Sequence, residues 1–136
     1  MATIDLYSDV SVENAIDPIS PSATGTMTGN VIDTNGKDSV TFVFLSGAQT
    51  TTSVTAVPII NEGSVTGTLT AVADANLIGT EADANLSGTA GAAGATKIGY
   101  KGNLRYVRGD LLVASAATGV YSAACILGSS RKKPAS

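Results

Sequence analysis

The chain of 136 residues has no histidine, no tryptophan and a single cysteine, Cys125. Without His, imidazole acid/base catalysis, His-containing triads and Cys/His zinc sites are excluded. One Cys excludes an intrachain disulfide and fits synthesis in a reducing cytoplasm. Aromatics make up only 4% and charged residues 14%, yet hydrophobic residues reach 43% and the mean hydropathy is +0.24. Those last values belong to a folded chain rather than a disordered one. The apolar content is therefore mostly small, Ala and Val set among 15 Gly and many Thr and Ser. A core of this kind buries modest area per residue, and at ~25 cal/mol per Å² contacts between copies are an obvious source of added stability. Long hydrophobic runs are missing too. The longest near the C-terminus is AACIL, far from the ~20 residues of a membrane span. The N-terminal MATIDLYSDV shows neither the basic nor the apolar region of a signal peptide, so a soluble, unprocessed protein is expected.

Catalytic patterns come only as near-misses. Gly36-Lys37 echoes a phosphate loop, but Val31 stands where its first Gly belongs and Asp38 where Ser or Thr must reach magnesium. Ser129 and Lys132 have S-x-x-K spacing in a terminal tail with no helix to join them. No acid sits beside a Trp or in an apolar strand that would raise its pKa. Asp74 and Asp83, with their Asn neighbours, fall short of the clustered oxygen ligands that calcium requires. Cys125 lies in an alternating apolar strand and reads as a small core residue. The expectation is a protein that is no enzyme and carries no metal or cofactor.

Charge is divided along the chain. Residues 1–96 hold one Lys against ten acids, a net charge of −9. Residues 97–136 hold seven Lys and Arg against Asp110, a net charge of +6. Either the halves pair within one fold, or an acidic part and a basic edge meet on neighbouring copies, where such patches set register. Nucleic acid is disfavoured by a pI near 4.6 and by having only three tyrosines in the basic segment. In that segment Lys97, Tyr100, Lys101, Arg105, Tyr106 and Arg108 are the candidate subunit-contact residues. Arg and Tyr are enriched at interface anchors, while outward cations also protect sheet edges.

Strand patterns run the length of the chain. Residues 5–21 alternate and end at Pro18 and Pro21, predicting an extended N-terminal arm or edge strand. Asp33-Thr34-Asn35-Gly36 predicts a hairpin turn. Beyond it Val40, Phe42 and Phe44 alternate with Thr41, Val43 and Leu45, an apolar central strand with Phe42 and Phe44 as core anchors. Residues 49–60 are rich in β-branched residues, with Pro58 demoting that strand's end to an edge or bulge. Asn61-Glu62-Gly63 predicts a turn before a strand over 64–72. The octamers ADANLIGT (73–80) and ADANLSGT (82–89) are too few for a solenoid and predict two similar turns that dock Leu77 and Leu86. Residues 88–96 form a Gly/Ala loop. A strand over 105–117, a turn at Ala117-Thr118-Gly119 and a returning hairpin partner over 120–127 complete the pattern. These short strands and Gly/Asn turns, without a helix of any length, predict an all-β, antiparallel β-sandwich of jelly-roll-like form. Its expected boundaries are an N-terminal arm at 1–22, the sandwich at 23–128 and a basic tail at 129–136.

The stretch GYKGNLRYVRGDLLVASAATGVYSAACILGSSRKKP (99–134) resembles the ending of small proteins encoded among the head genes of tailed bacteriophages. GKDSVTFVFLSG (36–47) looks like the first core strand of the same family. The resemblance implies a virion component with no catalytic residues: a capsid decoration (cement) protein on the outside of the head. Its implied partners are the major capsid protein and further copies of itself, as dimer or trimer, with neither nucleic acid nor membrane. A neck or tail adaptor is one alternative. A glycan-binding module for host attachment is another, although four Tyr and two Phe leave it few rings for stacking on sugars.

Overall fold

The computed structural model describes residues 6–21, 23–49, 55–86, 93–114 and 119–128. Most of the expected 88–96 loop, residues 117–118 of the last turn and the 129–136 tail lie outside them. Ten strands are described: β1 (Val10–Ile19), β2 (Gly25–Met27), β3 (Ile32–Asp33), β4 (Ser39–Ser46), β5 (Thr55–Val65), β6 (Thr68–Ala71), β7 (Leu77–Ile78), β8 (Gly94–Tyr100), β9 (Tyr106–Ala114) and β10 (Tyr121–Gly128). They form two antiparallel sheets. The first runs β1-β10-β4-β8-β7, and the second runs β2-β9-β5-β6 with β3 also paired to β9. Counting β2 and β3 as one interrupted strand and setting short β7 aside, the strand order is that of a jelly roll. The all-β sandwich predicted from periodicity is the observed fold. No helix of the described residues is long and apolar enough to cross a membrane.

Alternation decides which side chains enter the core. On β4, Val40, Phe42 and Phe44 point between the sheets, as do their partners Leu127, Cys125 and Ala123 on β10 and Tyr100, Ile98 and Thr96 on β8. From the other side Ala56 and Ile60 of β5 and Val107, Leu111 and Val113 of β9 close the core. Phe42 and Phe44 are fully buried, their rings stacked at 6.3 Å. Opposite them lies Gly109, where a Cβ would stand 2.9 Å from Phe42 Cδ1. The thin composition of the core is thus compensated by close approach of the sheets at this point.

Several local expectations are corrected by topology. Residues 10–19 are no free arm: β1 is an edge strand hydrogen-bonded to β10 over its length, so the sandwich begins before residue 23. The Asn35-Gly36 turn exists, with Gly36 at φ +78°, but it joins β3 of one sheet to β4 of the other and makes no hairpin. β9 and β10 likewise lie in opposite sheets. In a jelly roll most successive strands cross between layers, because each has one apolar face to bury and the opposite sheet is the surface that covers it. Asn61-Glu62-Gly63 is strand, not turn. Asn61 and Glu62 are held by hydrogen bonds to Asp110 and Tyr100, and the chain reverses at Thr66-Gly67 instead. Pro58 sits on the side of β5 facing away from β9, where Ile60 N–H is capped by the Glu81 carboxylate and no ladder partner is lost. Leu77 and Leu86 of the repeated octamers are both buried.

Candidate functional site

The six basic-segment candidates are scattered by the fold. Lys97 stands on the outer face of the first sheet, and Lys101 lies exposed in the loop after β8. Tyr100 turns inward. Its hydroxyl donates to Glu62 Oε2 at 2.5 Å and accepts the Leu104 N–H at 3.1 Å, so it anchors the 101–105 loop to the core. Burial, then the hydrogen bond to Glu62, pushes the Tyr100 hydroxyl up to about 12.

Arg105 immediately precedes β9 and Tyr106 begins it, both at the surface. The guanidinium forms a fork on Asp33, Nε to Oδ1 at 2.9 Å and Nη2 to Oδ2 at 2.7 Å, and stacks 5.0 Å above the Tyr106 ring. The hydrogen bond to Arg105 holds the Asp33 carboxyl below its usual range. Both partners are about half exposed (51% and 44%), so the pair adds little stability.

Arg108 is turned to a different use. It forks onto Asp110, two residues along the same strand face, with both bonds at 2.8 Å. Asp110 is nearly buried and also accepts the Gly29 N–H and the Asn61 amide. Gly29 lies in the gap between β2 and β3, and the Asp110 carboxylate takes up a backbone donor that has no strand partner there. Arg105 and Arg108 are therefore paired within their own chain. Lys97 and Lys101 have no acidic partner among the described residues.

Cys125 is buried on the inner face of β10, and burial, then the negative charge of Glu13, pushes its thiol up to about 12. At neutral pH it is a protonated core side chain, not a nucleophile.

Removing the Tyr100 hydroxyl (Tyr100→Phe) leaves Glu62 buried without its donor and is expected to cost about 1–3 kcal/mol in urea unfolding. The alkaline limb changes as well. A group whose pKa is about 10 unfolded and about 12 folded supports folding below pH 10 and loses that support as pH rises toward 12. Wild-type stability should fall across that window. The fall should be shallower in Tyr100→Phe, with the remainder contributed by Cys125 and by Tyr121, whose hydroxyl is also pushed up by burial.

The surface that the sequence reading passed over is the outer face of the first sheet. Strand register places Val12, Ile126, Thr41, Gly99 and Ile78 in one row across all five strands. A second row holds Asn14, Ala124, Val43 and Lys97, and a third Ser122, Leu45 and Ala95. Val12 is 65% and Ile78 62% exposed, and Leu45 42%. Lys97 is the one charge in these rows. The signal lay in β4, apolar on both faces, and in the small outward residues of β10. A buried central strand would look the same, and only the sheet topology shows that nothing in the described chain covers this side.

No protein-family model matches the chain, and no curated protein does. Among solved structures it is similar to the PBSX exported protein XepA, with a TM-score of 0.57 at 15% identity over 90% of this chain. The chain spans 38% of XepA's length. A second similar structure is the CBM22-1–GH10 part of the Clostridium thermocellum endo-1,4-β-D-xylanase 10B complexed with xylohexaose. There the TM-score is 0.43 at 8% identity, over 90% of this chain and 30% of that one. At 15% identity, what the chain shares with XepA is its fold.

Proposed function

We propose that this chain is a virion structural protein of a tailed phage, a decoration (cement) protein that binds the outside of the head and reinforces it. The observation that carries the reading is the bare apolar outer face of the first sheet. A contiguous apolar sheet face marks a contact surface, and it occurs here on a fold shared with a PBSX exported protein. The chemistry of the interior agrees. Glu62, Tyr100, Arg108 and Asp110 are bound to one another or to backbone, so these ionisable groups serve the fold, which supports the reading of a protein that works by contact. The sequence resemblance supplies the setting. The chain is made in the host cytoplasm and ends on the capsid exterior against the major capsid protein. Many copies on one shell turn a modest single contact into a durable one.

The test is co-sedimentation of purified, labelled protein with heads of the source phage, followed by a count of copies per particle. Decoration predicts saturable binding with on the order of hundreds of copies, as shell symmetry requires. About a dozen copies would indicate a neck or tail component, and no binding would overturn the virion reading.

A further inference from the structure

We infer that the outer face of the first sheet is the seat of a second copy of this chain, two copies stacking these faces about a two-fold axis that runs along β4. The inference rests on the reading of this face as a contact surface and assigns it to a second copy, so that the paired unit meets the head with its remaining surface. β4 is the central strand of the five, so this axis lays the β1 rim of each copy over the β8–β7 rim of the other. The outer-face charges on the two sides are opposite, Lys97 on β8 and Asp17 next to Asn14 of β1. On the β1 side Asp17 accepts the amide of outward-facing Asn14, whereas Glu13 is registered with Cys125 on the inner side. Residues 93–104, which include β8, contain Lys97 and Lys101 and no acid. A two-fold along the strands keeps each row at its own height. Lys97 then reaches the row of its partner that ends at Asn14, whose amide donates to Asp17. A two-fold across the strands would set β1 on β1 and β8 on β8, like charge on like. The charge division of the sequence is thereby used between copies, while Arg105 and Arg108 are used within one.

Area and edges favour the same arrangement. Four spacings of about 4.8 Å between the five strands and about eight residues at 3.3 Å give a face of roughly 500 Å² per copy. A pair then buries about 1,000 Å², the lower limit of a specific interface. Growth by strand addition is disfavoured at both edges. β1 has register shifts at Asn14/Ile16 and Ile16/Ile19 and contains Pro18, and β7 is two residues long.

The experiment uses purified full-length protein alone, so its outcome is separate from head binding. Sedimentation equilibrium should show a concentration-dependent species of twice 13.5 kDa. Thr41→Glu, a charge at the half-exposed centre of the face, should weaken it at least tenfold. Lys97→Glu should weaken it, and Lys97→Glu with Asp17→Lys should restore it. With Thr41→Cys the two new thiols face each other across the axis. A short bismaleimide should link them, whereas the wild type, with only buried Cys125, should not be linked. A monomer at about 100 μM, a dimer indifferent to Thr41→Glu, or charge reversal without rescue would overturn the inference. If a variant fails to fold by circular dichroism, the cross-link decides alone, its absence counting against.

Discussion

Arg108→Ala is expected to destabilise the protein by about 3 kcal/mol, more than its partly exposed position suggests. The substitution removes the only cation among the described residues bonded to Asp110, whose side chain is 5% exposed. The carboxylate would keep the Gly29 N–H and the Asn61 amide but no compensating charge, and breaking a buried pair from one side costs about 3–5 kcal/mol. Because Arg108 itself is 27% exposed, water will partly replace it, which places the expectation at the lower end. The companion variant carries the argument. Arg108→Ala with Asp110→Asn removes the stranded charge and retains an amide oxygen for Gly29, so it should recover much of the loss. Urea unfolding of the two variants and the wild type measures this directly. An Arg108→Ala protein within about 0.5 kcal/mol of wild type would show that the pair has no structural weight.

Phe42→Ala should cost still more, about 3–5 kcal/mol, from lost burial and an unfilled cavity. The chain has two Phe and no Trp, so the second ring cannot take over. The partner position makes the prediction specific. Gly109→Ala alone pushes a methyl toward the Phe42 ring and should cost about 1–3 kcal/mol. In the Phe42→Ala background that methyl enters vacated space, and the double variant should be clearly more stable than the two single losses added together. Additive losses would mean that the sheets do not meet through this pair. Against a typical total of about 5–15 kcal/mol, either substitution of Phe42 or Arg108 removes a large fraction. Deleting residues 1–21, by contrast, removes β1 and tests folding, not docking.

The periodicity of β4, β9 and β10, with their bounding Gly and Asn turns, was enough to establish an all-β sandwich. It also picked out Phe42 and Phe44 as apolar positions of one strand face, and both lie at the centre of the core. A period of two is local, and each strand carries it whether its partner is next in sequence or sixty residues away. For that reason the turn at Gly36 and the return after Gly119 looked like hairpins, and the tertiary structure alone decided that both cross between sheets. The basic segment shows the same limit. Lys97, Tyr100, Lys101, Arg105, Tyr106 and Arg108 are neighbours in sequence, but a strand sends alternate side chains to opposite faces and β8 and β9 belong to different sheets. One cluster on paper becomes a core hydroxyl, two intrachain ion pairs and two lysines without an acidic partner among the described residues. Composition determined that the chain has little aromatic surface to bury and charges divided by segment. Which apolar face is left bare, and which lysine borders it, depends on strand order and on the side of the sheet that no other layer covers, and that order is set by contacts between residues far apart in the chain.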